Sequence, residues 1–305
     1  MKKAVPLIYS LKTLCAFAVV ALHSDLYYKS LVIPLLRIAV PVFFIISGYF
    51  YNITATPKIL KKIIKLCLIT NIVYLSHHVI MFSIKGHNYI LDTFNFNFCV
   101  RQIMFGNMIE GVLWYLTAYI EVIIILWFLQ RYLKFKYIIV LSLILLIIGI
   151  VCGSYGIFFG FHNYLLTGGA LMTGLPAVVF GIFIRIHENK ISQIKIESIV
   201  LILLILSYIE YFILYKNNNY SYSFGGDVFI FTLPLAVSVF ILILKYKNHR
   251  IPYIEEIGKN DSSFIYCYHM LVQYIILAIF NYCNFVILLS TCLLLKLAYN
   301  KFCLK

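Results

Sequence analysis

Apolar residues run along this chain in long blocks separated by short polar interruptions, and each block has the length of a membrane-crossing helix. About 20 apolar residues in helical conformation cover the roughly 30 Å of hydrocarbon in a bilayer. Ten windows fit that requirement, at roughly 4–23, 30–51, 63–84, 112–130, 137–154, 165–185, 197–215, 228–245, 262–281 and 283–300. The last two are separated only by residues around Asn281 and Tyr282 and predict a helical hairpin. The first is not a cleaved signal peptide: no small-residue cleavage site follows it, and Lys12 and His23 punctuate its apolar run.

Composition sharpens this picture. Of 305 residues, 63% are hydrophobic and 12% charged, about half the charged fraction of a soluble domain. The chain reads as an all-α polytopic membrane protein, a single transmembrane domain over residues 1–305 with no separate soluble domain. Lys and Arg then set the orientation. With the N-terminus inside, nineteen of the 25 basic residues fall on the cytoplasmic side, while Lys29, Lys85, Arg101 and Lys216 fall outside and Lys12 and Arg37 lie within helices. Removing one helix would scramble that asymmetry, so the bias supports ten spans with both termini cytoplasmic. The formal charge of +14 is accordingly a topology signal, and no nucleic-acid partner is expected. The eight cysteines read as small buried hydrophobes. The connection from Lys85 to Gly111, with Asp92, Arg101 and Glu110, is expected over the outer mouth.

Ionisable groups inside spans are costly, by about 2.5–3.5 kcal/mol each on insertion scales, and mark function. Lys12 and His23 are eleven residues apart, three turns plus about 20°, so they share one face of the first helix about 16 Å apart along its axis. Ser24 and Asp25 follow His23. The second window places Arg37 in its outer half, where Asp25, Glu121 or an anionic substrate group would partner it, and Ser47-Gly48 permits close helix packing. The fourth begins Leu113-Trp114-Tyr115-Leu116, which fits an interfacial aromatic belt, and carries Glu121 near mid-membrane. In the ninth, Asp261 or Ser262 is expected to cap the helix start, and His269 to lie close to the depth of Lys12. His77, His78, His162, His187 and His249 lie near span ends or in loops and carry little weight. No His, Cys and carboxylate set has metal-ligand spacing, so no metal is expected.

At these residues the chain resembles acyltransferase family 3, integral-membrane enzymes that O-acylate lipopolysaccharide, capsule and other surface glycans. The family's basic residue, ten residues, then histidine is matched by Lys12 and His23. Its Phe-Phe…Ser-Gly-aromatic motif is matched by Phe43-Phe44-Ile45-Ile46-Ser47-Gly48-Tyr49, its Leu-Trp-Tyr-Leu helix start by residues 113–116, and its late Gly-Lys-Asn-Ser…Tyr…His motif by Gly258 to His269, with Asp261 inserted before Ser262. Where the family has arginines and a proline after the second helix, this chain has Lys61-Lys62-Ile63-Ile64-Lys65 and Thr70. Lysine keeps the charge there and loses the bidentate fork.

The resemblance implies O-acylation in a bacterial cytoplasmic membrane, with acetyl-CoA as acyl donor, a glycan or other hydroxyl as acceptor, and polysaccharide-assembly enzymes as partners besides the lipid bilayer. A sugar hydroxyl ionises far above pH 7 and histidine titrates in the useful range, so His23 is expected to act as the base, with Asp25 or a neighbouring group fixing its tautomer. Lys12, Lys62 and Lys65 would attract the phosphates of coenzyme A, and Arg37, Ser47, Trp114, Glu121 and His269 would line the substrate path. The rival reading is a transporter or flippase for a lipid-linked glycan or small solute, which would move its substrate unmodified.

Overall fold

The computed structural model describes residues 5–86, 109–159, 169–191, 193–217 and 229–303, and among these the chain is a bundle of helices. Residues 87–108 of the Lys85–Gly111 connection, with Asp92 and Arg101, and His162 lie outside the described residues. Seven helical segments are long and apolar enough to cross a membrane: Pro6–His23, Lys29–Tyr49, Ile53–Ile84, Gly111–Tyr132, Phe135–Cys152, Ile196–Asn217 and Ser262–Phe280. Three shorter apolar helices, Ala170–Ile186, Thr232–Lys245 and Phe285–Ala298, fall in the remaining three sequence windows.

The first helix, α1 (Pro6–His23), is central to the bundle. Proline at its first position suits a helix start, where an N–H has no partner to lose. The second window is two helices, α2 (Lys29–Leu36) and α3 (Ala39–Tyr49). Pro41 explains the break: a proline cannot donate to the carbonyl four residues earlier and its ring crowds it, and that residue is Arg37. The arginine therefore sits at a kink, as the last cap of α2. Next come α4 (Thr56–Ile84), α5 (Trp114–Tyr132) and α6 (Phe135–Cys152).

A widened π turn, Ala170–Gly174, leads into α7 (Leu175–Ile186). Pro176 lacks the N–H that would close a regular turn onto Met172, which favours the wider one. The chain then forms a short α8 (Glu188–Ile191), α9 (Ile196–Asn217), α10 (Thr232–Lys245), α11 (Pro252–Asn260), α12 (Ser262–Phe280) and α13 (Phe285–Cys303). Asn281 adopts the left-handed conformation (φ 54°), which asparagine tolerates, and turns α12 into α13 as the expected hairpin.

Close backbone approach organises the interior. A Cβ on Gly48 of α3 would stand 2.0 Å from the Val178 carbonyl oxygen of α7, and one on Gly181 2.1 Å from the Ile45 carbonyl oxygen. The two helices cross on these glycines, as small-residue packing in membranes requires. Tyr49, beside Gly48, donates to Glu188 at 3.0 Å and ties α3 to α8. At that same end Lys247 meets Glu188 (3.0 Å) and Lys245 meets Glu197 (2.6 Å).

α11 was not expected from the apolar windows, because it is amphipathic and lies against α1. Thr13 of α1 donates to the Ile254 carbonyl at 2.6 Å. Asp261 occupies the N-cap position of α12 as expected, yet its side chain makes no cap hydrogen bond. Ser262 instead donates back to the Gly258 carbonyl at 2.8 Å.

Candidate functional site

Two cavities open into the bundle, and α1 carries one charged or titratable group into each. The cavity toward the N-terminal end of α1, called inner for its place along that helix as the one at the other end is called outer, is about 470 Å³ and has Lys12, Ser47, Lys62, Tyr115 and Tyr119 in its wall, with Ser262 and Ser263 from the start of α12. Lys12 is half-buried and lies 5.8 Å from the Tyr9 ring centroid, whereas Lys62 is exposed at the rim. Lys65, one turn further along α4, is exposed and lines neither cavity. Ser47 donates to the Phe43 carbonyl at 2.9 Å, so its hydroxyl stays on the α3 backbone at the cavity wall while Gly48 makes the crossing with α7.

The outer cavity, about 260 Å³, is walled by His23, Lys29, Arg37, Trp114, Thr173 and Tyr266, among others. His23 is the last residue of α1 and is exposed to this space. Arg37 reaches it from the kink made by Pro41, its guanidinium 4.8 Å from the Phe229 ring centroid. Phe229 is in turn placed by Glu210. This buried carboxylate of α9 accepts from the Ile230 (2.6 Å) and Phe231 (3.0 Å) N–H groups at the start of α10 and from the Tyr155 hydroxyl (2.6 Å). A carboxylate at a helix N-terminus is favourably placed there, so Glu210 holds the arginine's neighbour.

His269 lies at the outer cavity's level and not at that of Lys12. Its ring centroid is 5.4 Å from that of His23, with planes tilted by 40°. The difference from the sequence expectation has a simple origin. Ser262, the first residue of α12, is already level with Lys12 because α11 occupies the layer beneath it; seven further residues carry His269 about 10 Å along the axis. The His269 side chain is fully buried, and its Nδ1 lies 3.2 Å and 2.9 Å from the carbonyl oxygens of Ile265 and Tyr266. Carbonyls only accept, so Nδ1 carries the proton and Nε2 is left as an acceptor. That Nε2 has no hydrogen-bond partner among the described residues.

The remaining expected residues separate. Trp114 lies in the cavity wall and packs against Phe44 (centroids 6.4 Å), as a path-lining residue would. Asp25 is exposed and lines a different depression with Tyr282 and Asn284, and its backbone bridges Asn284. Glu121 is half-buried on α5, about 10 Å beyond Trp114 along the axis, and lines neither cavity. Sequence reasoning missed Lys29, Thr173, Glu210 and Tyr266 as site or supporting residues. It also passed over His78, which pairs with Glu110 at 3.3 Å beside Tyr274, whose hydroxyl donates to the same carboxylate at 3.1 Å. Among the described residues, no three His, Cys, Asp or Glu side chains could hold a metal ion.

The site is thus a lysine-rimmed cavity at one end of a helix and a histidine pair beside a second cavity at the other, within a multi-pass helical bundle. A family model described as "Acyltransferase domain" matches residues 8–297, nearly the whole chain, so the protein belongs to acyltransferase family 3 and is an acyltransferase. Neither the comparison with curated proteins nor that with solved structures returned a match.

Proposed function

We propose that this enzyme moves a short acyl group, acetyl in the first instance, from acyl-CoA on the cytoplasmic side to a hydroxyl of a glycan at the outer face of a bacterial cytoplasmic membrane. The observation that carries this reading is the division of labour along α1. Lys12 stands in the wall of one cavity and His23 in the wall of the other. In this reading the coenzyme's phosphates lie at the rim formed by Lys12 and Lys62, with Lys65 just outside, and the pantetheine arm runs inward past Ser47 and Tyr115. The acceptor enters the outer cavity beside Arg37, Trp114 and His23.

A glycan hydroxyl ionises far above neutral pH, so its attack on a thioester needs a base that titrates near 7, and histidine is that group. His23 takes the hydroxyl proton as the oxygen attacks the thioester carbonyl carbon. The new C–O bond forms, the C–S bond breaks, and the proton passes from His23 to the departing coenzyme A sulfur. His269 Nε2, buried beside His23 as an acceptor, orients the His23 ring from behind. No metal takes part in this scheme.

The test is transfer from radiolabelled acetyl-CoA by membranes containing the protein, with label followed into lipid and glycan fractions. Label in a glycan fraction with release of coenzyme A supports the reading. Movement of an unmodified glycan across the membrane with no donor consumed would replace it with transport.

The lysine rim gives a separate expectation. Lys62→Gln should raise KM for acetyl-CoA by about 10-fold, the loss of one charge-assisted contact, with kcat nearly unchanged. Added salt should raise the KM of the unaltered enzyme and narrow the gap between the two, since the rim is exposed. Steady-state kinetics at two ionic strengths would show both effects, and an unchanged KM would take Lys62 out of the donor site.

A further inference from the structure

Tyr266 is the one residue, among those described, that lines both cavities. Its side chain is buried, and its hydroxyl donates to the Val112 carbonyl oxygen across the bundle. Aromatic edges clamp the ring on the inner side: Phe43 at 6.2 Å and Tyr115 at 5.5 Å, both near-perpendicular. On the outer side His269 lies 6.5 Å away, within the pair that includes His23. Val112, which receives the hydroxyl, is itself part of the outer wall. Its segment is pinned by Glu110, which meets His78 of α4 and Tyr274 of α12.

We infer that Tyr266 is the partition between the donor and acceptor cavities, latched by its hydrogen bond to Val112, and that the acyl group reaches His23 only when this latch opens. The inference rests on the acyl-transfer reading for what passes, and on the cavity geometry for the barrier. Chemistry supplies the reason for a barrier. A thioester resting beside a histidine base in an open channel would be hydrolysed by water, and a channel continuous through the bundle would leak small solutes. A tyrosine suits the task. Its ring stands in the wall common to both cavities, and its one hydroxyl bond is strong enough to bias the closed state and weak enough to be exchanged when a substrate fills the space.

Thiol accessibility tests the partition without acyl transfer. Thr173→Cys places a thiol in the outer cavity wall. A membrane-impermeant methanethiosulfonate is applied from the side onto which Lys12 opens, in vesicles of known orientation, and modification at that position is read by peptide mass spectrometry. With Tyr266 present, labelling from that side should be slow. Tyr266→Phe, which keeps the ring and its packing and removes only the latch, should speed it by about 3–10-fold. Tyr266→Leu should speed it further, and elution of each variant as a single species in detergent verifies folding. Equal rates with all three side chains would overturn the proposal, as would fast labelling with the tyrosine intact. Because no acyl donor is used, a gated labelling pattern alongside a failed acetyl-transfer assay would refute the acyl reading alone.

Discussion

Replacing His23 by Ala is expected to lower acyl transfer by about 10²–10⁴, the contribution of a positioned general base, while the protein remains in the membrane at its normal level. The two halves of this expectation have different origins. His23 is exposed and terminates α1, so truncating it leaves no cavity in a packed interior and costs little stability. Its chemical role has no substitute nearby in the same state, because His269 is buried with Nδ1 committed to two backbone carbonyls. His23→Gln should be equally inactive, because an amide retains hydrogen bonds and cannot accept the proton. His269→Gln should fall between, since it alters the acceptor that faces the base and leaves the base itself in place. The measurement is label transferred from acetyl-CoA per unit of enzyme in membranes, with KM for the donor determined alongside. An unchanged donor KM together with collapsed turnover places the loss in the chemical step. Substantial transfer by His23→Ala would remove the histidine from the role of base.

The placement of His23 was legible before any coordinates, because the eleven-residue spacing of Lys12 and His23 fixes both a common face and an axial separation on one unbroken helix. The windows likewise located the apolar helices, and the hairpin at Asn281 was visible as two apolar runs with almost nothing between them. What the sequence withheld is lateral. In a chain this apolar, nearly every face of a helix is greasy, so periodicity does not say which face meets a neighbour and which meets lipid. Glu121 and Trp114 share α5, yet only Trp114 turns to a cavity. Asp25 follows His23 by two residues, but the chain has left the helix there and its backbone pairs with Asn284. His269 was misplaced in depth because the amphipathic α11 lies outside the pattern used to find spans, and it sets the level at which α12 begins. Tyr266 falls inside the Gly258–His269 motif, yet nothing in that pattern marks its distinction, which is to stand where two cavities meet.

The largest structural effect is expected at Gly258. A Cβ there would lie 1.8 Å from the Tyr9 carbonyl oxygen, 2.5 Å from the Tyr9 carbonyl carbon and 2.8 Å from the Thr13 hydroxyl oxygen. The nearest obstacles are backbone, which cannot swing aside, so Gly258→Ala forces α11 off α1. Overpacking of this kind costs about 1–3 kcal/mol or more, and it also endangers the Thr13 bond to the Ile254 carbonyl. The displacement would reach the site from both directions. α1 carries Lys12 and His23, and α11 leads directly into Ser262, Tyr266 and His269. Gly258→Ala should therefore lower the melting temperature of the detergent-purified enzyme by roughly 5 °C or more and depress transfer at temperatures where the protein is still folded. Gly111→Ala is the matched control: nothing lies within 4 Å of its added methyl, so both properties should stay near those of the parent. The comparison separates a requirement for glycine at one contact from a general sensitivity to added methyl groups. If the two variants melt together, the α1–α11 contact is looser than its geometry implies, and the glycine of the Gly-Lys-Asn segment must serve the bound donor and not the packing.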